Sequence, residues 1–238
     1  MAKKKSDVQA QGAELIDLVI ERVKSDPKCI SGFCGDRPLP DPKPLAPEVI
    51  AQMTFPSGRP LPPSLKRWLA FDASWLADLD WFSLPAAPSE PPVFTPRRID
   101  QIVTDEFDEL WGGMYEPLGA RLDECFLLLG GSDSRRIYAV TDAPDSLGEF
   151  PVLVIDTDDL PYAAVMYPGF DVYMADEAGF ALHDMGTYED LFDDTRYAPR
   201  LNEHARHIFN GKQGIEIMDE EWGEIEGIAE GATPNADE

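Results

Sequence analysis

Residues 148–173, GEFPVLVIDTDDLPYAAVMYPGFDVY, place three apolar runs in a row and interrupt them with residues that stop strands. Residues 152–155 are continuously apolar, as in a strand covered on both faces. The run DTDD at 156–159 and Pro161 then break it, because Asp favours turns and Pro has no N–H for a ladder. Residues 162–166 read as the next strand, Pro168 and Gly169 as the next break, and residues 170–174 as a third strand. A meander with carboxylates at its turns suits contact with a basic protein better than covalent chemistry.

The flanking chain extends this sheet and adds helices around it. Residues 125–129 are apolar and stop at Gly130 and Gly131; residues 136–141 alternate and pair with them as a hairpin. With 150–156, 162–166 and 170–174 this makes an antiparallel sheet of about five strands. Val8, Leu15, Ile16, Val19, Ile20 and Val23 recur at helical spacing within residues 1–24. Further helices are expected at 47–53, 61–81 and 97–111, the last with Ile99, Ile102, Val103, Phe107 and Leu110 on one side. Three more are expected at 176–183, 188–192 and 198–209. Pro-rich stretches occupy 25–47 and 85–96, and residues 219–238 hold eight acids and no Lys or Arg. Helices, then sheet, then helices describe an α+β single domain. Its expected divisions are an N-terminal helix and Pro/Gly-rich extension (1–60), the α+β body (61–212) and an acidic tail (213–238).

Charge narrows the partners. Forty-five Asp and Glu against twenty Lys and Arg give a formal charge of −25. Nucleic acid and anionic membrane need Lys and Arg against phosphate, so neither is expected as a partner. A basic protein is expected, since complementary fields steer association. The competing reading is that the acids only maintain solubility. Cys29, Cys34 and Cys125 have no regular spacing, which argues for a reducing compartment rather than a disulfide framework. The N-terminus MAKKKS leads into no apolar signal region, and no run approaches the roughly 18 apolar residues of a membrane span. A cytoplasmic location is expected.

Each pattern with chemical potential has a plainer competitor. Asp156 and Asp158 after an apolar strand resemble the paired acids of haloacid-dehalogenase-type phosphatases, but Leu160 and the following strand depart from that pattern. The same acids suit Ca²⁺ or Mg²⁺, yet no later bidentate Glu completes a loop. An acidic hairpin turn is the favoured reading, with no metal and no cofactor. His204 and His207, three residues apart on a helix, could share a face and a metal, but no third ligand is evident. There is no GxSxG, GxGxxG or GKS pattern.

The segment LPPSLKRWL at 61–69 resembles the entry helix of the SUKH superfamily, which includes the yeast cell-wall-synthesis regulators, the bacterial Syd proteins and many bacterial immunity proteins. Residues 148–153 (GEFPVL), followed by Asp156 and Asp158, look like that family's sheet, and the resemblance spans roughly 61–209. A second registration places the entry helix at 99–111, with Gly112 and Gly113 as the family's glycine turn. The resemblance implies a binding module without catalysis, often an antitoxin to a secreted toxin. Three functions stay open: an immunity protein that masks a basic toxin, a scaffold or regulator with the same fold, and an acid-using hydrolase or phosphatase. The expected partner surface joins acids Asp142, Asp145, Glu149, Asp156, Asp158, Asp159 and Asp171 to Tyr167, Phe170 and Tyr173. Tyr167 and Asp171, beside the Pro168–Gly169 break, are expected at the surface; the competing reading is that the rings close the core.

Overall fold

The computed structural model describes residues 9–30, 41–87, 90–130, 134–157, 161–180 and 190–217. Within them a five-stranded sheet runs in the order β1-β2-β3-β4-β5, every neighbouring pair antiparallel. The strands are β1 (Cys125–Leu128), β2 (Ser134–Ala139), β3 (Val152–Asp156), β4 (Tyr162–Tyr167) and β5 (Gly214–Glu216). The fold is α+β, and β3 lies at the sheet's centre. That position explains its unbroken apolar run, because Val152, Leu153, Val154 and Ile155 are all buried.

Among the described residues seven helices precede the sheet: α1 (Gly12–Ser25), α2 (Pro47–Ile50), α3 (Pro63–Leu69), α4 (Ser74–Asp78), α5 (Ile99–Glu106), α6 (Glu109–Met114) and α7 (Glu116–Gly119). Three follow β4: α8 (Phe170–Glu177), α9 (Asp190–Asp193) and α10 (Ala198–Phe209). Pro opens α2, α3 and α10, where its missing N–H removes no helical bond. The stretch read as one helix over 61–81 is two. Asp72 divides it: its Oδ2 accepts from Trp75 N at 2.9 Å and its Oδ1 from the Ser74 hydroxyl at 2.6 Å, which starts α4.

Residues 170–174 form the first turns of α8 rather than a strand. The fifth strand is instead β5, at 214–216. Asn210, in the left-handed conformation at φ 53°, ends α10 and lets the chain turn back to pair with β4. The expected boundaries at 60/61 and 212/213 mark no break in packing. Leu15, Ile16, Val19, Ile20 and Val23 of α1 join the same core as the sheet, with α1 against α3 and α8, and β5 belongs to the sheet itself. Residues 1–8 and the tail at 218–238 lie outside the described residues.

One sheet face carries a dense aromatic layer. Phe126 faces Tyr138 across β1–β2, and Tyr138 faces Val152 across β2–β3. Trp81 stacks on both rings, with centroids 4.6 Å and 5.2 Å away, and its indole N–H donates to Leu127 O at 2.8 Å. Phe170 meets Trp68, Trp81 and Tyr138 edge-on. The helix α8 is thereby locked over the centre of the sheet, which positions the site described next.

Candidate functional site

Three of the predicted contact residues, Asp145, Glu149 and Asp171, meet in the interior around Arg200. Arg200, on the first turn of α10, is 3% exposed and lies between two buried carboxylates. Its Nη1 and Nη2 donate to Asp171 Oδ2 and Oδ1 at 2.9 and 3.0 Å, a bidentate pair, and its Nε donates to Asp145 Oδ2. Asp171 Oδ2 also accepts from Gly12 N at 2.6 Å, so a side chain of α8 satisfies the N-terminus of α1. Gln11 Oε1 accepts from Arg200 Nη1 at 3.1 Å. Glu149 is fully buried beside them; its Oε1 accepts from Ser64 N at 2.9 Å and its Oε2 pairs with the Ser64 hydroxyl.

Local sequence explains this convergence. Asp145–Gly148 is a tight turn: Gly148 N donates to Asp145 O at 2.8 Å, and Gly148 has φ 77°. Asp145 Oδ1 accepts from Leu147 N at 2.8 Å and Glu149 N at 2.9 Å, so the carboxylate organises its own turn. Gly169 is required by space rather than by its extended backbone. A Cβ there would fall 2.6 Å from Asp171 Oδ1, 2.8 Å from Arg200 Nη2 and 2.8 Å from Glu149 Cβ. Any larger residue would separate the three ionisable groups.

Burial pushes the Glu149 carboxyl up to about 8, and the nearby Asp171 charge adds to that. Burial also opposes ionisation of Asp145, but the neighbouring His204 and the charge and bond of Arg200 outweigh it and hold that carboxyl below its ordinary value. Burial works against the Arg200 charge; Asp171 and Asp145 overcome it and raise its pKa. His204 is buried, with Nε2 3.0 Å from Pro168 O and 3.8 Å from Asp145 Oδ2, while its Nδ1 has no protein partner.

A pH dependence follows from Glu149. Its folded pKa lies above its unfolded value, so the native state binds more protons between the ordinary carboxylate range and about 8. Stability therefore falls as pH rises through that window, by at most about 1.4 kcal/mol per unit from this group. Glu177, raised to about 7 by burial and by Asp176, adds to the same slope. Glu149→Gln keeps the geometry of the protonated acid and loses no proton. Urea unfolding at several pH values is expected to show a shallower decline for the variant between the ordinary carboxylate range and about pH 8, so its advantage over the wild type grows through that window. Parallel profiles for the two proteins would show that Glu149 ionises normally.

The other predicted contact residues divide by burial. Tyr167, 3% exposed, donates its hydroxyl to Asp176 Oδ2 at 2.7 Å; Tyr173 donates to Leu129 O at 3.0 Å; Phe170 is fully buried. These rings close the core, Tyr167 at the end of β4 and Phe170 and Tyr173 on the inward side of α8, so none is a surface anchor. Asp145, Glu149 and Asp171 are likewise interior groups with interior partners. Among the described acids of that expected surface, Asp142 alone is widely exposed, its side chain at 94%, and it pairs with Arg59. It lines a cleft of about 500 Å³ with Arg59, Arg121, Asp123 and His207. Asp156 is half-buried at the end of β3, and Asp158 and Asp159 lie outside the described residues.

His204 and His207 do not share a face: the first is buried and the second is exposed at the rim of that cleft. Among the described residues no group of three His, Cys, Asp or Glu is placed to hold a metal. The DTDD run leads from β3 into antiparallel β4, without the helical crossover of the phosphatase pattern. No described helix is long and apolar enough to cross a membrane. Comparison with protein-family models, curated proteins and solved structures finds no match.

The Arg200 cluster had a readable signal. Arg200, His204 and Ile208 repeat every four residues in APRLNEHARHIF, beside Leu201 and Ala205, so an Arg and a His share the apolar face. Phe170, Tyr173 and Met174 likewise have helical spacing, which marks the first turns of α8.

Proposed function

We propose that this chain is a non-catalytic binding module of the immunity-protein type, one that engages a basic toxin. The supporting observation is where its carboxylates stand. The interior acids Asp145, Glu149 and Asp171 are held by Arg200, Ser64 and backbone N–H groups, which makes them structural. Among the described residues other acids stand at the surface, as at Asp17, Glu21, Asp105 and Asp142, whose side chains are 53%, 72%, 56% and 94% exposed, in a chain of formal charge −25. Such a surface steers a cationic protein and repels nucleic acid and anionic lipid. The resemblance of residues 61–69 and 148–153 to the SUKH superfamily points the same way.

The test is co-expression with the product of an adjacent gene that encodes a secreted toxin. The two proteins are expected to co-purify, and the toxin to lose its activity. The association rate is expected to fall steeply with added salt, since the Debye length shortens to about 8 Å at physiological ionic strength and about 3 Å at 1 M. A rate independent of salt in stopped-flow measurements would remove the electrostatic basis of this reading.

A further inference from the structure

We infer that the corner between α5 and α6 is the docking surface, with Leu110 as its apolar anchor, and that it receives a basic protein segment carrying an apolar side chain. This inference rests on the reading of the chain as a module for a basic partner.

The sequence reads as one helix through 97–111, with Leu110 on the buried side. The chain instead breaks at Phe107 and Asp108. Asp108 takes φ 151°, a conformation that disfavours any side chain, and its Oδ1 accepts from Leu110 N at 3.0 Å and Trp111 N at 3.3 Å. The break turns the next helix outward. Ile99, Ile102 and Val103 stay buried, whereas Leu110 is 68% exposed. Phe107, Trp111 and Met114 are half-buried and pack on the core, and the i, i+4 spacing within α6 places Met114 beside Leu110. A single exposed Leu is ordinary; a Leu beside a half-buried Met, on a short helix that also carries a half-buried Trp, forms an apolar ridge of the kind that supplies interface anchors.

The ridge is held rigidly. Gly112 of α6 presses on α5, where a Cβ would lie 1.8 Å from Thr104 Oγ1. Tyr115, one residue past α6, donates its hydroxyl to Asp156 O and Tyr162 O at 2.8 and 2.9 Å. That bond ties the corner to the ends of β3 and β4, next to Asp156. A fixed anchor loses little conformational entropy on binding.

Acids surround the ridge. Asp105, Glu106, Asp108, Glu109 and Glu116 lie within the twelve residues 105–116, and Glu109 and Glu116 have no ion pair among the described residues. Arg97 is engaged by Asp105 at 2.8 Å and Arg135 by Glu106 at 2.5 Å, with Arg135 also over the Phe107 ring. A cationic segment with one apolar residue satisfies both features. A second copy of this chain does not, because two bodies of charge −25 repel.

The test uses two synthetic peptides of equal charge, one alternating Lys with Leu and one alternating Lys with Ser, titrated into the full chain at low salt. The Lys/Leu peptide is expected to bind at least tenfold more tightly and to protect the amides of residues 107–114 from hydrogen exchange. Leu110→Ser is expected to remove at least tenfold of that affinity while leaving the unfolding midpoint unchanged, since the side chain is exposed. Protection centred elsewhere, with Leu110→Ser binding as the wild type does, overturns this surface and leaves the acidic-module reading standing. Failure of both peptides to bind overturns the two together. A dimer seen by sedimentation and abolished by Leu110→Ser assigns the face to self-contact and also overturns the inference.

Discussion

Arg200→Met is expected to lower the unfolding free energy by about 3–5 kcal/mol, because it leaves Asp171 and Asp145 charged and unpaired inside the protein. For a domain of this size that corresponds to a fall in Tm of roughly 10 °C or more. Methionine keeps most of the side-chain volume, so the loss reports charge rather than a cavity. Arg200→Lys is expected to recover little, as a point charge cannot reproduce the bidentate contact with Asp171 and the third bond to Asp145. Adding Asp171→Asn and Asp145→Asn to Arg200→Met is expected to restore part of the stability, since the orphaned charges are then gone. A single variant within about 1 kcal/mol of wild type, measured by urea unfolding, would show the cluster to be hydrated and energetically slack.

Trp81→Ala is expected to be as damaging, at about 3–5 kcal/mol. The indole is fully buried, stacks on Phe126 and Tyr138, and carries the partner of Leu127 O. Its removal opens a cavity at the sheet face and leaves a strand carbonyl of β1 without that donor. Trp81→Phe keeps part of the stacking and loses the hydrogen bond, so it is expected to fall between wild type and Trp81→Ala. The readout is the denaturant midpoint at constant m-value, which separates lost stability from a change in the unfolded state. Equal midpoints for Trp81→Phe and wild type would assign the whole effect to packing.

Periodicity and turn chemistry made much of the fold legible. The unbroken run at 152–155 announced a central strand, and the helical spacing of Leu15, Ile16, Val19, Ile20 and Val23 announced α1. Asn210 and Gly211 marked the end of α10. The misreadings are equally specific. Residues 170–174 contain Phe, Val and Tyr, which favour strands, and they follow a Pro-Gly break that a hairpin would also use. Packing of Phe170 against Trp68, Trp81 and Tyr138 resolves the ambiguity in favour of helix. That outcome moves Asp171 and Tyr173 from an expected surface to the interior.

What the sequence determined by itself is local and additive: the α+β class, the antiparallel order of β1 to β4, the positions of most turns and the large negative charge. Each depends on residues close in the chain or on a simple sum. Only the tertiary structure decided which acids are structural and which face solvent. Asp145 and Glu149 of one turn, Asp171 of α8 and Arg200 of α10 come from three separate segments, and Asp142 differs from Asp145 in composition not at all. Arg200 reaches its partners only after α8 has packed on the sheet and α10 has been laid beside β4, with Gly169 leaving room for the three side chains. Burial then changes their chemistry: an Asp beside water is a surface charge, whereas the same Asp against a buried guanidinium is a structural tie whose ionisation the fold itself sets.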